Sequence, residues 1–125
     1  RAVLEGTACG LSQILDVMRE KQEIRELRII GGGAKSRLWK QILADVCNVT
    51  LHDVSTFFDS ATSLGAAAAA GVGIGLFRDL QEACSHISTS GDVEPDPETQ
   101  AVYALTKKRY AMLYPSLKEA FHTRA

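Results

Sequence analysis

At 125 residues, with 46% hydrophobic and 23% charged side chains, the chain has the size and make-up of one ordinary globular domain, which excludes disorder and fibrous repeats. Fourteen basic against fifteen acidic residues leave a net charge of −1, an argument against nucleic acid or an anionic membrane as principal partner. No apolar run reaches the roughly 18 residues needed to span a bilayer and the opening RAVLEGTACG is no signal peptide, so the expected location is the cytoplasm.

From Ala2 to about Met18, Leu4, Leu11, Ile14, Leu15 and Met18 fall on one stripe at helical spacing, and the charged REKQEIRE follows as an exposed end and turn. Leu27 to Ile30 reads as a short buried strand. Ser36 can N-cap a second helix with Leu38, Trp39, Ile42, Leu43 and Val46 on one face. Val49 to Val54, VTLHDV, reads as a second strand. A third helix from about Ser60 to Val72 is almost all alanine and glycine, which suits close packing on a neighbour. Asp79 and Glu82 have capping-box spacing and open a short fourth helix to about His86. Ser88 to Pro97, STSGDVEPDP, reads as a linker, and Asp96 with Pro97 suits the start of a last helix, which Pro115 should kink or break.

Cys9, Cys47 and Cys84 lie far apart and are odd in number, so reduced, buried thiols are expected rather than a disulfide framework. His52, His86 and His122 are scattered, and no metal site is expected from them.

Strand, helix and strand from Leu27 to Val54 form a βαβ unit, yet two parallel strands are too few for a covered sheet. The chain also starts without an initiator methionine, directly in an amphipathic helix. Both features lead to the expectation of a C-terminal portion of a larger protein, with exposed strand edges that favour self-association.

LRIIGGGAKSRLW, Leu27 to Trp39, puts Gly31, Gly32 and Gly33 at the carboxyl end of a strand and just before a helix, where α/β proteins place ligands. Bare backbone admits close approach, the helix beginning near Ser36 offers free N–H groups to an anion, and Lys35 and Arg37 could add charge. A nucleotide or phosphate ester on Gly31–Ser36 is one reading; a plain strand-to-helix turn is an equal one on these residues alone. Ala34 stands where a Walker A loop needs glycine, and GxGxxG is absent. GVGIG, Gly71 to Gly75, follows a helix and reads as its cap and turn.

LRIIGGGAKSRLWKQILADVCNV followed by SATSLGAAAAAGVGIGLF resembles the C-terminal domain of the FGGY carbohydrate kinases, most closely the xylulose kinases, and the likeness continues to AVYALTKKRYAMLYPSLKEAF. The resemblance implies an α/β fold: the C-terminal portion of an actin/hexokinase/Hsp70-like (ribonuclease H-like) ATPase lobe, helix-rich with a truncated sheet, over residues 1–125. It implies ATP and Mg2+ as cofactors, with Gly31, Gly32, Gly33, Ala34, Lys35, Ser36 and Arg37 as the nucleotide site. Gly32 and Gly33 would lie against the nucleotide, and Ala34, Ser36 and Arg37 around adenine and ribose. Ser63, Leu64 and Gly65 would open a helix packed nearby; where the family often has glutamate, this chain has Asp59 and Ser60. The implied reaction moves the ATP γ-phosphate to a sugar hydroxyl, with D-xylulose giving D-xylulose 5-phosphate. The implied base, sugar site and most Mg2+ ligands belong to an amino-terminal lobe outside these residues, so the fragment alone should be inactive. Asp45, Asp53, Asp59 and Asp79 read as solvated or capping. A nucleotide-sensing silent relative and a non-enzymatic helical interaction module are the alternatives.

Overall fold

The structure, a computed structural model, describes residues 1–54 and 61–123. Its elements run α1 (Ala2–Arg19), β1 (Glu26–Ile29), α2 (Arg37–Cys47), β2 (Thr50–Asp53), α3 (Ala61–Gly73), α4 (Leu80–Ser85), β3 (Ser90–Val93) and α5 (Gln100–His122). The expectations attached to Asp59 and Ser60 lie outside the described residues.

α2 is the central element, and local chemistry fixes both its ends. Ser36 Oγ accepts from the Trp39 amide at 3.3 Å, and Asn48 closes the helix in the left-handed conformation (φ 51°), its amide donating to the Ala44 carbonyl. Ile42, Leu43, Val46 and Cys47 then form the core with Ala8, Cys9 and Leu15 of α1, Val49, Leu51 and Tyr103. Full burial of a side chain such as Ile42 or Val46 is worth roughly 1.5–3 kcal/mol. The expected α1 stripe is only partly inside. Ala8, Cys9, Ser12 and Leu15 are buried, whereas Leu11, Ile14 and Met18 are exposed beside β1. Small residues on the buried face let α1 pack on α2, and that contact sets the rotation of the helix.

The βαβ unit is present, with β1 parallel to β2 and Ile29 opposite Asp53. The sheet has a third strand that the sequence reading assigned to a linker: β3 pairs antiparallel with β2, Leu51 opposite Val93 and Asp53 opposite Ser90. SGDV has low strand propensity, and the long-range ladder with β2 overrides it.

GVGIG is a helix cap, as expected. The amides of Leu76 and Gly75 donate to Gly71 and Val72 carbonyls, with Gly75 at φ 76°. Asp79 caps α4, accepting from the Glu82 amide at 2.8 Å. Asp96 and Pro97 open a 3-10 turn, Pro97–Thr99, rather than α5 itself. α5 runs unbroken through Pro115, because a proline in an exposed helix removes one amide donor and leaves a carbonyl that water can satisfy. α3 packs principally on α4, and much of its small-residue surface is exposed.

Candidate functional site

β1 and β2 end together at Ile29 and Asp53, and the glycine turn leaves the sheet from that carboxyl end. Gly31 has φ 86° and ψ −172°, a conformation essentially reserved for glycine. Gly32–Lys35 make one 3-10 turn, held by the Ala34 amide on the Gly31 carbonyl at 3.0 Å and the Ser36 amide on the Gly33 carbonyl at 3.2 Å. Ala34 is 1% exposed, so its methyl anchors the turn to the interior, while Gly32, Gly33, Lys35, Ser36 and Arg37 are exposed and Gly31 is half-buried. The seven predicted residues thus run from the end of β1 through the turn into the first residue of α2, five of them exposed, Gly31 half-buried and Ala34 buried.

Among the described residues no side chain stands over Gly31 or Gly32: a β-carbon on either would meet none of them within 4 Å. Gly33 differs, since its β-carbon would lie 3.1 Å from Trp39 Nε1. In the first turn of α2, Ser36 Oγ takes the Trp39 amide and Ser36 O the Lys40 amide. Among the described residues the amides of Arg37 and Leu38 are left as donors at the positive end of the helix, suited to an anionic or polar ligand.

Three polar clusters escaped the sequence reading. Asp53, expected to be solvated or capping, is 8% exposed and ion-paired at 2.5 Å with Lys40 of α2. Asp45 is also buried rather than solvated, and accepts from Gln41 Nε2 and from the Asp96 amide. His52 bridges the outer face of the sheet: Nδ1 lies 2.7 Å from Asp92 Oδ1 and Nε2 lies 2.8 Å from Glu26 Oε2. Only an imidazolium can donate from both nitrogens, so Asp92 and then Glu26 raise the His52 pKa above its ordinary value. Strand alternation could have put His52 on the polar face, but the strand that supplies Asp92 was unread.

The thiols of Cys9 and Cys47 are buried and Cys84 half-buried, all reduced; burial pushes the first two above the ordinary thiol value. No group of three or more His, Cys, Asp or Glu side chains that could hold a metal ion occurs among the described residues. No described helix is long and apolar enough to cross a membrane. A cleft of about 600 Å³ lies at the opposite, amino end of the strands, lined by Arg19, Asn48 and Thr50. Both arginines in its lining are already engaged, because the Arg19 guanidinium donates to the carbonyls of Ile24 and Asn48 and Arg25 pairs with Glu23. The glycine turn is therefore the better ligand candidate, although it forms one wall and not an enclosure.

Residues 1–74 match the FGGY family of carbohydrate kinases, C-terminal domain. An autoinducer-2 kinase of Salmonella paratyphi B is 37% identical over 109 residues, covering 86% of this chain and 20% of the relative. A xylulose kinase of Staphylococcus epidermidis is 34% identical over 122 residues, covering 95% and 24%. Among solved structures, gluconate kinase from Lactobacillus acidophilus superposes with a TM-score of 0.80 at 25% identity, over 94% of this chain and 24% of that one. The fold is that of these sugar kinases, an actin/hexokinase-like ATPase architecture. The chain spans about a fifth to a quarter of the length of the relatives it matches.

Proposed function

The chain belongs to the FGGY family of carbohydrate kinases, and from that membership we propose that residues 1–125 are the C-terminal, nucleotide-binding domain of a cytoplasmic ATP-dependent sugar kinase. The observation that carries the reading is the glycine turn, open at Gly31 and Gly32 among the described residues and set between the carboxyl end of β1 and the amino end of α2. ATP rests its adenosine side on Gly31, Gly32 and Gly33, with Ser36, Lys35 and Arg37 at the rim and the backbone of Ala34 beneath. The Arg37 and Leu38 amides orient it by hydrogen bonding.

In the complete kinase a sugar hydroxyl oxygen bonds to the γ-phosphorus, the bond to the bridging oxygen breaks, ADP leaves, and a base takes the hydroxyl proton. We assign that base and the sugar site to the amino-terminal lobe, and D-xylulose as the acceptor. The relatives include kinases of xylulose, autoinducer-2 and gluconate, so the acceptor is the finest part of the proposal. Mg2+ supplies charge neutralisation on the phosphates when bound; the described residues provide no ligand cluster for it.

Trp39, the single tryptophan, touches Gly33 and reports on the site. Titration with ATP or ADP is expected to change its fluorescence saturably. A flat titration, with no heat of binding by calorimetry, would leave the turn purely structural.

A further inference from the structure

Lys40 and Asp53 sit one step behind the glycine turn. The Lys40 amide donates to the Ser36 carbonyl at 3.0 Å, closing the first turn of α2, and its Nζ reaches Asp53 Oδ2 at the carboxyl end of β2. The neighbouring Trp39 carries the Ser36 cap on its amide and presents its indole to Gly33. At the other side of the pair, Gly91 of β3 has φ 69°, and a β-carbon there would lie 3.2 Å from Asp53 Oδ2. Asp53 is opposite Ser90 in the β2–β3 ladder, while the amide of the next residue, Val54, donates to the Ile29 carbonyl of β1. The carboxylate is thus held by the sheet, and the ammonium by the helix that bears the turn.

Stability alone is a weak reason for such a pair. Its side chains are 12% and 11% exposed, so both charges have lost most of their water, and Asp53 Oδ1 is buried with no hydrogen-bond partner among the described residues. A desolvated ion pair with an unmet oxygen contributes little net stability compared with an apolar replacement, but it specifies one relative placement of the elements it joins. We propose that Lys40 and Asp53 are positioning residues that lock the amino end of α2 onto the carboxyl end of β2 and so hold the Gly31–Ser36 turn in its nucleotide-accepting geometry. The nucleotide part rests on the function proposed above; the locking part does not.

The test uses the 125-residue chain as wild type and as Lys40→Met, Asp53→Asn, Lys40→Arg and, as a control, Leu15→Ala, a core change on α1 remote in sequence from the turn. Two quantities are read at a temperature where circular dichroism shows every variant folded: the ADP dissociation constant from Trp39 fluorescence, and amide hydrogen exchange. Lys40→Met and Asp53→Asn are expected to raise the dissociation constant about fivefold or more and to speed exchange at residues 36–40 while Val46 stays protected. Lys40→Arg should bring both back near wild type, and Leu15→Ala should lower the melting temperature without moving the dissociation constant. Wild-type ADP affinity and unchanged exchange at 36–40 in folded Lys40→Met would overturn the proposal while leaving the nucleotide reading intact. Faster exchange at 36–40 with no ADP binding by wild type would retain the lock and overturn its nucleotide role together with the proposed function. If Lys40→Met does not fold, Asp53→Asn with Lys40→Arg decides by the same readings.

Discussion

The indole of Trp39 lies against the backbone of Gly33, close enough that a β-carbon on Gly33 would stand 3.1 Å from Nε1 and 3.2 Å from Cδ1. Gly33 does not have the positive φ of Gly31, so what it supplies is room. Gly33→Ala is expected to displace Trp39 by a few tenths of an ångström, and Gly33→Val by more. Gly33→Val should weaken ATP about tenfold, on the order of 1.4 kcal/mol, with the sugar Michaelis constant of the complete kinase nearly unchanged. Both constants at wild-type values in a folded Gly33→Val protein would remove the turn from the nucleotide site.

Gly31 and Gly32 are adjacent, open and unlike. At φ 86° Gly31 holds a conformation that costs other residues about 1–3 kcal/mol, and no neighbour among the described residues adds a clash. Gly31→Ala should therefore lower the unfolding free energy measured in urea by that amount, whereas Gly32→Ala should stay within about 0.5 kcal/mol of wild type. Equal losses for the two would contradict the backbone geometry assigned to Gly31.

The His52 bridge gives a pH dependence with a definite sign. Asp92 and Glu26 raise its folded pKa, so its contribution is fully present below the ordinary imidazole value and is lost as pH rises through the raised one. For a bridge between solvent-screened side chains the contribution is on the order of 0.5 kcal/mol. Melting temperatures from pH 5.5 to 8.5 should show wild type losing ground to His52→Gln as pH increases. A constant difference across that range would mean that the bridge does not form.

β1 has no partner strand on its outer side among the described residues, and an apolar cleft of about 240 Å³ beside it is lined by Leu11, Ile14, Met18, Leu27 and Ile29. Unpaired edge amides and carbonyls beside exposed apolar side chains favour pairing with another copy. Sedimentation of the chain should reveal concentration-dependent association, reduced by Ile14→Lys together with Met18→Lys. A monomeric mass over a hundredfold range of concentration would refute this.

Turnover is the last prediction. The chain spans 24% of the xylulose kinase relative, and the base is assigned to the amino-terminal lobe. With ATP, Mg2+ and D-xylulose it should give no phosphorylated sugar above background. Phosphorylation abolished by a substitution within residues 1–125 would show that these residues carry the base.

The sequence by itself determined what depends on neighbours a few residues apart. The Ser36 cap, the Gly75 and Asp79 turns, and the glycines between strand and helix follow from interactions spanning about five residues or fewer, and the family resemblance lies in those same segments. The tertiary structure alone decided the rest. β3 becomes a strand because β2 offers it a ladder, Asp53 becomes buried because Lys40 and Gly91 meet it from α2 and β3, and His52 becomes a bridge because β1 and β3 each bring a carboxylate to it. The rotation of α1, which buries Ala8 and Ser12 and leaves Ile14 outside, was set by the fit of small side chains against α2. Helical periodicity says which residues share a face; only packing says which face turns inward.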